Sequence, residues 1–509
     1  MRVPAGSAVG VVGAGTMGAG IAQVAALAGH LVLLLDAAPG QALESVERVR
    51  ARMGRLAEQH RIDGSLASAA CANLSAAGAV TDLAGCRLVI EAVAEVLDVK
   101  RDVFRALENV VSDDCVLATN TSSLSIAAIA KTLRRPQRLV GMHFFNPPTA
   151  MELIEVVSGP ATDPQLASLV ADVATAWGKT PVRVSSTPGF VVNRVARPFY
   201  GEGLRALEER AADPATIDAV LREAGGFRMG PLELTDLIGQ DVNLAVTRSV
   251  WERLGKDPRF APSTAQQALV DAGRLGRKTG RGFYRYGDDA QPAVPVSAAP
   301  APAPRQVTVA GDWGPWTGLW ARLGRAGVEV QHDDTRDSEV PFAELAGGGL
   351  LVPSDGRTAT ERARLARAPV VVVDLAFDPL EATRFAIAAA DGSPSAATSQ
   401  AVGLLQASGA AVSVIDDLPG LLVARTVAML VNQAVDCVAL GVASAADVDT
   451  AMRLGAAYPI GPLQWGDRLG AGRVTAILDA LDRAYPGGRY RVCPALRRST
   501  LLGRSLREI

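Results

Sequence analysis

The chain has 509 residues, of which 49% are hydrophobic and 20% charged, and its formal net charge is -2. This length predicts about three domains at roughly 150 residues each. A near-neutral charge balance without a basic arm argues against nucleic-acid binding, and no apolar run is long enough to cross a bilayer. The 5 cysteines show neither a CxxC pair nor metal-ligand spacing, so we expect no disulfide framework and no metal site. We therefore expect a cytoplasmic protein whose partners are small molecules.

Apolar strand-like runs alternate with helix-like segments through the first third of the chain. Residues 8–12, 21–28 and 31–35 form a strand, helix, strand unit, and continuous apolar runs are typical of strands buried on both faces of a parallel sheet. Further strands are predicted at 88–90, 116–118, 139–142, 153–157 and 181–184, with a helix at 99–110. The fold class is therefore α/β, and residues 1–186 are predicted to form a Rossmann-type doubly wound sheet.

The pattern changes after this domain. Long helix-like segments at 191–211, 215–224 and 234–254 predict an all-helical domain over residues 187–287. Residues 288–305 are rich in Ala and Pro and cannot build a core, so we interpret them as a semi-rigid linker. Strand-like runs at 307–309, 370–373 and 412–414 then indicate a reduced α/β module over residues 306–416.

An internal repeat relates the helical domain to the C-terminal part of the chain. The segment PGFVVNR at 188–194 matches PGLLVAR at 419–425, and MGPL at 229–232 matches IGPL at 460–463. Both matches lie 231 positions apart, without an insertion or deletion between them. We therefore predict that residues 417–509 are a second helical copy. The echo of FNP at 145–147 in FDP at 377–379 suggests that the module before it is a decayed copy of the first domain.

The segment GAGTMG at 13–18 follows the first strand and opens a helix. Its first two glycines permit a tight turn and a close approach of backbone to a pyrophosphate, and the third lets the helix pack against the strand. Alone, this pattern is weak evidence, because any glycine-rich turn can match it. Asp36 strengthens it, because it closes the second strand, where a carboxylate can accept ribose hydroxyls. No arginine follows Asp36 at 37–39 to meet a 2'-phosphate, so NAD is predicted rather than NADP.

His143 is one of 4 histidines in the chain, and it follows the predicted strand 139–142 at the edge where open α/β sheets bind ligands. Glu155 lies within an apolar strand, where an unpaired carboxylate would be costly. A pair between the two on neighbouring strands would remove that cost and orient the imidazole as a general base. A purely structural histidine, and an ion pair of Glu155 with a basic residue elsewhere, are the alternatives.

Together these motifs resemble those of the 3-hydroxyacyl-CoA dehydrogenases. The matching segments are GAGTMGAGIAQVAALAGH (13–30), VIEAVAEVLDVK (89–100), NTSSLSI (120–126), GMHFFNP (141–147), MELIEVV (151–157), TPGFVVNR (187–194) and MGPLELTD (229–236). The resemblance covers residues 1 to about 287. The repeat after the linker is similar to the longer members with a duplicated C-terminal domain, among them the 3-hydroxyadipyl-CoA dehydrogenases of phenylacetate catabolism.

The resemblance implies an NAD-dependent, reversible oxidation of a (3S)-3-hydroxyacyl-CoA to the 3-oxoacyl-CoA. It implies that His143 is the general base, that Glu155 orients it, and that Ser122 and Asn193 hydrogen-bond the reacting oxygen and so contact the substrate. The cofactor-contacting residues that it implies are Gly13, Gly15, Thr16, Met17, Gly18, Asp36, Glu95, Lys100, Ser122, Asn146 and Lys278. The family's CoA-contacting Ser and Lys after the second strand have no clear equivalents here, so Arg52 and Arg55 are the candidates for holding the CoA phosphates.

The resemblance leaves the acyl chain open. We predict 3-hydroxyadipyl-CoA as the substrate, with 3-hydroxybutyryl-CoA or another short-chain 3-hydroxyacyl-CoA as the alternative. Arg194 or Arg197 is a candidate for recognising a distal carboxylate, although Arg194 recurs as Arg425, which suits a structural role equally well.

The second helical copy is predicted to be catalytically silent. It has Ala424 where the first copy has Asn193, and no histidine lies near the stretch that corresponds to His143. In single-copy relatives the helical domain mediates dimerisation, so we expect the two copies to form an internal pseudo-dimer, with a further homo-oligomer left open.

Two other classes of function remain as alternatives. A dinucleotide-binding structural or regulatory protein would keep the glycine loop but has no reason to keep His143, Glu155 and Asn193 together. A 6-phosphogluconate or β-hydroxyacid dehydrogenase would use a lysine base, and the HFFNP segment at 143–147 argues against this.

Overall fold

The computed structural model describes residues 2–335, 340–345 and 348–509. It divides into two compact units, of which the first comprises Met1–Arg194 and Leu440–Ala456 and the second Val195–Ala439 and Ala457–Ile509. Residues 336–339 and 346–347, which fall in the predicted reduced module, lie outside the described residues. No helix in the described ranges has the length and apolar character needed to span a membrane.

The strands and helices of the described residues are as follows. The strands are β1 Ala8–Val12, β2 Leu31–Leu35, β3 Leu74–Ala76, β4 Leu88–Glu91, β5 Val116–Thr119, β6 Leu139–Phe144, β7 Leu153–Ser158, β8 Thr180–Ser185, β9 Gln306–Ala310, β10 Glu329–His332, β11 Phe342–Leu345, β12 Gly349–Pro353, β13 Val370–Val373, β14 Arg384–Ala389 and β15 Ala411–Val414. The α-helices are α1 Thr16–Leu27, α2 Gln41–Glu58, α3 Gly64–Ala72, α4 Leu97–Glu108, α5 Ile126–Ala130, α6 Pro164–Ala176, α7 Val192–Val195, α8 Arg197–Glu208, α9 Pro214–Glu223, α10 Pro231–Ile238, α11 Gln240–Arg253, α12 Thr264–Asp271, α13 Thr317–Arg325, α14 Ala359–Ala366, α15 Ser395–Ala407, α16 Val423–Ala439, α17 Ala445–Gly455, α18 Pro462–Leu469, α19 Ala471–Ala484 and α20 Pro494–Leu502.

The first sheet confirms the predicted Rossmann-type fold. Its strands lie in the order β3-β2-β1-β4-β5-β6-β7-β8, and they are parallel except where β7 runs antiparallel to β6. Helices α1, α2, α3 and α6 pack their apolar side chains against one face of the sheet. The predicted strands at 8–12 and 31–35 have those ends, and the later ones extend by one or two residues. β3 escaped prediction because a three-residue strand carries almost no periodicity.

Two predicted helices are broken in the structure. The segment 191–211 forms α7 and α8, with Pro198 in the first turn of α8, where a residue without an N–H is tolerated. The segment 234–254 lies in α10 and α11, which are separated by Gly239 at a φ of 103°. The expectation of continuous helices was wrong at both places, because proline and glycine end helices even where the apolar periodicity continues.

The module before the second helical copy contains more strands than the three that we predicted. In the described ranges its sheet has the order β10-β9-β11-β12-β13-β14-β15. The end of this sheet repeats the end of the first: β13 and β14 are antiparallel, β14 and β15 are parallel, and Val372 faces Ala388 as Gly141 faces Val157. Equivalent residues of the two sheets are therefore 231 positions apart in the sequence. The FNP and FDP segments are 232 positions apart, so they are not aligned by this register.

The Ala/Pro segment at 288–305 is hydrogen-bonded to the module that follows it. The Ala298 N–H donates to the Val412 carbonyl at 2.7 Å, and the Ser413 hydroxyl donates to the Val296 carbonyl at 2.7 Å. The Ala301 N–H donates to Gln406 Oε1 at 2.9 Å. The segment builds no core of its own, as expected, but its backbone is bound along β15 and α15.

Candidate active site

The glycine loop joins β1 to α1, and each glycine has a separate steric reason. Gly13 has a φ of 104°, and a Cβ there would lie 2.5 Å from the Ala92 carbonyl oxygen. A Cβ on Gly18 would lie 1.8 Å from the Gly13 carbonyl oxygen, so Gly18 permits the close packing of α1 on the loop. Gly15, by contrast, has nothing within 4 Å of its Cβ position, and it precedes α1 without a side-chain cap. The free N–H groups of α1 therefore face open space, as pyrophosphate binding requires.

Asp36 lies directly after β2 and fixes this loop. Its carboxylate accepts the Ala14 N–H at 2.6 Å and the Ala38 N–H at 2.9 Å. Together with Gly13, Gly15 and apolar side chains such as Val99, Asp36 lines a groove at the ends of β1, β2 and β4. An apolar groove with one carboxylate at its rim suits an adenosine whose ribose hydroxyls need an acceptor.

A buried ion-pair network lies beyond the groove, after β4. Lys100 is 1% exposed, and its Nζ lies 2.6 Å from Glu91 Oε1 and 3.3 Å from Glu95 Oε2. Glu95 also accepts the Thr121 hydroxyl at 2.7 Å and the Ser122 N–H at 2.9 Å. Burial raises the pKa of Glu95, but Lys100 and the hydrogen bonds outweigh it and hold this pKa below its ordinary value. Glu95 therefore remains ionised and orders the loop that carries Ser122.

His143 and Glu155 face each other across β6 and β7. The antiparallel register pairs the two residues, and His143 Nδ1 lies 2.7 Å from Glu155 Oε2. Glu155 is fully buried, and its Oε1 accepts the Val191 and Val192 N–H groups at 3.0 Å each, at the start of α7. Its two oxygens thus serve different partners, which fixes the imidazole ring relative to the backbone. The alternative ion pair of Glu155 with a basic residue is not what the structure shows.

The other implied catalytic and cofactor residues occupy more open positions. Ser122 and Asn193 are half-buried, Asn193 lies in α7, and Asn146 is exposed in the turn after β6. Lys278 belongs to the second unit, where its Nζ lies 2.6 Å from Asp241 Oδ1. Thr16 and Met17 lie in the first turn of α1.

The two candidate CoA contacts lie one turn apart on α2. Arg52 and Arg55 are both exposed, and Arg52 donates to the Thr149 hydroxyl at 3.1 Å. Residues three apart on a helix share a face, so the two guanidinium groups can act on one anion. In the described part of the chain, no three His, Cys, Asp or Glu side chains are grouped so that they could hold a metal ion.

The corresponding place in the reduced α/β module carries a different buried acid. Asp374 follows β13 at the register position of His143, and Ala386 occupies that of Glu155. Asp374 accepts the N–H groups of Leu422, Val423 and Ala424 at 2.7 to 3.0 Å, the same helix start that Glu155 binds in the first copy. It also accepts the Leu375 N–H, so both carboxylate oxygens bind backbone and neither has an imidazole partner.

Comparison with known proteins identifies the family. The model of the 3-hydroxyacyl-CoA dehydrogenase NAD binding domain matches residues 8–187, and that of the C-terminal domain matches twice, at 189–286 and 420–508. Residues 351–419 match the 3-hydroxybutyryl-CoA dehydrogenase reduced Rossmann-fold domain. The 3-hydroxyadipyl-CoA dehydrogenase of Escherichia coli K12 is 44% identical over 97% of both chains. The chain belongs to the 3-hydroxyacyl-CoA dehydrogenase family.

Two further relatives define how far this similarity extends. A crystal structure of 3-hydroxybutyryl-CoA dehydrogenase from Escherichia coli superposes with a TM-score of 0.88 at 42% identity, covering 97% of this chain and 98% of that one. The 3-hydroxybutyryl-CoA dehydrogenase of Clostridioides difficile is 37% identical but covers 54% of this chain and 98% of its own. This 3-hydroxyacyl-CoA dehydrogenase is therefore an NAD-dependent oxidoreductase with the longer, duplicated organisation.

Sequence reasoning missed one member of this dehydrogenase site. Glu91 ends β4, is fully buried, and accepts Lys100 Nζ at 2.6 Å, the Thr119 hydroxyl at 2.7 Å and the Val93 N–H at 2.7 Å. The signal that singled out Glu155, a carboxylate at the end of or within an apolar strand, is present at Glu91 as well.

The loop geometry of this dehydrogenase leads to a contrast between two glycine variants. Gly15→Ala is expected to raise the KM for NAD at least about 10-fold with little change in Tm, because the new methyl group enters the space that the pyrophosphate needs. Gly18→Ala is expected to lower Tm by several degrees, because its methyl group meets backbone that cannot move away. Steady-state kinetics and thermal melts of both variants test this, and equal Tm losses would contradict it.

Proposed function

We propose that this 3-hydroxyacyl-CoA dehydrogenase oxidises 3-hydroxyadipyl-CoA, and that it acts in phenylacetate catabolism. The observation that carries the reaction is the buried His143–Glu155 pair at 2.7 Å. The acyl chain is proposed from the relative that matches this chain along 97% of its length and is named a 3-hydroxyadipyl-CoA dehydrogenase.

The chemistry of the pair follows from its hydrogen bonds. With Nδ1–H donated to Glu155, the imidazole leaves its Nε2 lone pair for the hydroxyl proton at C3 of the substrate. As the ring gains that proton, the buried carboxylate stabilises the new charge in surroundings of low dielectric constant. Bound NAD supplies the acceptor for the hydride. Glu155 itself stays in place because α7 donates two N–H groups to its other oxygen.

The remaining site residues are proposed in the roles that the family resemblance implies. Ser122 and Asn193 hydrogen-bond the reacting oxygen, and Arg52 and Arg55 hold the CoA phosphates. Glu95, Lys100 and Ser122 are proposed as cofactor contacts, and the buried Lys100, whose Nζ lies 3.3 Å from Glu95 Oε2, also orders Glu95. The remaining proposed cofactor contacts are Gly13, Gly15, Thr16, Met17, Gly18, Asp36, Asn146 and Lys278.

The second candidate substrate is 3-hydroxybutyryl-CoA. It is favoured by the names of the Escherichia coli crystal structure and of the Clostridioides difficile relative. Coupled NADH kinetics with both thioesters decide between the two. We expect the kcat/KM for 3-hydroxyadipyl-CoA to exceed that for 3-hydroxybutyryl-CoA at least about 10-fold, which corresponds to about 1.4 kcal/mol. A higher value for the monocarboxylate would reject the adipyl assignment and leave the reaction class unchanged.

We also propose that the second helical copy is silent and pairs with the first as an internal pseudo-dimer. Helices α8 and α16, which lie 231 positions apart, pack on each other. The Ser185 N–H donates to the Val442 carbonyl at 2.7 Å, and the equivalent Asp416 N–H donates to the Ala211 carbonyl at 3.0 Å. Reciprocal contacts between equivalent residues are typical of a two-fold interface.

The cytoplasm is the proposed location of the enzyme. In the described residues no disulfide joins the cysteines, which are Cys71, Cys86, Cys115, Cys437 and Cys493. Several cysteines without a disulfide are typical of a reducing compartment.

A further inference from the structure

Part of the second helical copy packs on the strand that carries Glu155. Residues 440–456, which include α17, belong to the first compact unit. At the end of β8, the Ser185 N–H donates to the Val442 carbonyl at 2.7 Å, and the Ser185 hydroxyl donates to the Gly441 carbonyl at 2.9 Å. Beyond these two bonds the chain enters α17, which packs on β7 and β8. The second copy therefore forms part of the unit that contains the proposed catalytic pair.

The last residue of α17, Gly455, lies against β7 and α7. A Cβ on Gly455 would lie 2.6 Å from Leu153 Cδ2 and 2.9 Å from Val192 Cγ2. Carbon atoms this close overlap, so even a methyl group fits only if its neighbours shift. Gly455 has a helical backbone without a positive φ, so the conformation of the chain does not require glycine. The lack of space for a side chain does require it.

The two side chains that meet Gly455 differ in how easily they can move. Leu153 is 1% exposed, but its Cδ2 is the end of a flexible side chain that can adopt another rotamer. Val192 is 6% exposed, and a branched side chain such as this has one strongly preferred χ1 rotamer in a helix. A group that pushes on Val192 is therefore expected to move its backbone.

The backbone of Val192 is part of the Glu155 site. The Val192 N–H donates to Glu155 Oε1 at 3.0 Å, and the other oxygen of this carboxylate lies 2.7 Å from His143 Nδ1. Leu153 lies on β7 two residues before Glu155. Both neighbours of Gly455 thus belong to the elements that hold the carboxylate, and Val192 connects Gly455 to it directly.

The internal repeat offers a comparison for this glycine. In the other half of the repeat, α9 packs on β14 as α17 packs on β7. The position that corresponds to Gly455, 231 residues earlier, is Ala224, and the register position of Glu155 on β14 is Ala386. A methyl group is therefore present where the strand carries no carboxylate, and it is absent where the strand carries Glu155.

We propose that Gly455 is a positioning residue for the dehydrogenase reaction. Because it has no side chain, α17 lies against Val192 without displacing it. This contact holds the Val192 N–H on Glu155, which in turn holds the His143 ring. The inference rests on the proposed function through the role of Glu155. The second copy thus supplies no reacting group, yet it sets the position of the catalytic pair.

The first test compares Gly455→Ala with Gly472→Ala. The methyl group at 455 is expected to lower kcat by between about 10-fold and 100-fold, because small displacements of catalytic groups are that costly. The KM for NAD is expected to stay within about 2-fold, because the glycine loop is untouched. Gly472, on α19 of the same copy, is the matched control, because a Cβ there would make an ordinary contact at 3.9 Å with Thr500 Cγ2. An unchanged kcat in folded Gly455→Ala, or an equal loss in Gly472→Ala, would overturn the proposal.

Two double variants cover the case in which Gly455→Ala folds poorly. Leu153→Val removes Cδ2 and leaves the added methyl group against Val192, so this pair is expected to raise Tm and keep the loss of kcat. Val192→Ala removes both Cγ atoms and keeps the N–H. Gly455→Ala is therefore expected to lower kcat by less than about 3-fold when it is added to Val192→Ala. Recovery of kcat by Leu153→Val, or the same loss with Val192→Ala as without it, would reject the route through Val192.

A double-mutant cycle separates this inference from the proposed function. If Gly455 acts through Glu155, adding Gly455→Ala to Glu155→Gln is expected to lower kcat by less than about 2-fold further. Losses that multiply would show that Gly455 acts elsewhere, and the catalytic pair would stand. A near-normal kcat of Glu155→Gln would reject the catalytic pair, and the positioning role would fail with it.

Discussion

Replacing Glu155 by Gln is expected to lower kcat by between about 100-fold and 10,000-fold while the protein stays folded. The side-chain oxygen of Gln can still accept the Val191 and Val192 N–H groups, so the start of α7 keeps its partner. The NH2 group of Gln, which carries no charge, then faces His143 Nδ1. Two N–H donors would meet there, so Nδ1 can no longer donate its proton. His143 is thereby turned towards the wrong tautomer, and its protonated form loses its counter-charge. Steady-state kinetics with a circular-dichroism melt measure both effects.

The reduced α/β module offers a matched control for this variant. Asp374→Asn changes a carboxylate that binds the equivalent helix start but has no histidine beside it. Because this acid binds four N–H groups of buried backbone, the variant is expected to lower Tm and leave kcat within about 2-fold. Near-normal turnover of Glu155→Gln, or a kcat loss in Asp374→Asn as large as that in Glu155→Gln, would contradict the assignment of the catalytic pair.

Removing residues 306–509 is expected to leave no active monomer. The deletion uncovers the face of α8 that packs on α16. It also removes the partners of Glu202, which is 2% exposed and is bound to Arg425 at 2.8 Å and to Tyr490 at 2.7 Å. Water can solvate Glu202 on the uncovered face, but the apolar side chains beside it also become exposed, and a large exposed apolar patch favours association. The shortened chain is therefore expected to cover α8 with a second copy of itself. Light scattering should give at least two chains per particle.

A variant of the shortened chain distinguishes the effect of the unpaired Glu202 carboxylate from the effect of the uncovered apolar face. Glu202→Leu removes the carboxylate and adds apolar surface to α8, so it is expected to raise the yield of the paired species. The full-length enzyme, measured in parallel, sets the reference mass and activity. A monodisperse, fully active monomer of residues 1–305 would show that the second copy does not replace a dimer partner.

The sequence predicted the elements that depend on neighbouring residues in the chain. It predicted less well the contacts that depend on residues far apart in the sequence. Apolar runs located β1 and β2 to the residue, since strands buried on both faces leave few polar positions to blur their ends. The breaks at Pro198 and Gly239 were also local, and a stricter use of helix-breaking residues would have found them.

The site divides in the same way. Glu155 was identifiable because a carboxylate inside an apolar strand needs a partner, and His143 was the histidine within reach of it. The partner of Arg197 could not be predicted, because Thr247, which accepts its hydrogen bond, lies 50 residues away on α11 and only the tertiary fold brings it there. The same limit applies to Asp374, whose role depends on a strand register rather than on any motif.

The helix α17 completes the packing of the first unit only late in synthesis. It packs on β7 and β8, so the strand that carries Glu155 is covered by a segment translated more than 250 residues after it. At about 5 to 20 residues per second, the ribosome needs roughly 10 to 50 seconds to add that length. During this interval the apolar side of the strand pair lacks its cover, and chaperones have the opportunity to bind it. The proposed site residues all lie in the first 287 positions, yet the packing around the strand that carries Glu155 is completed only by this later segment.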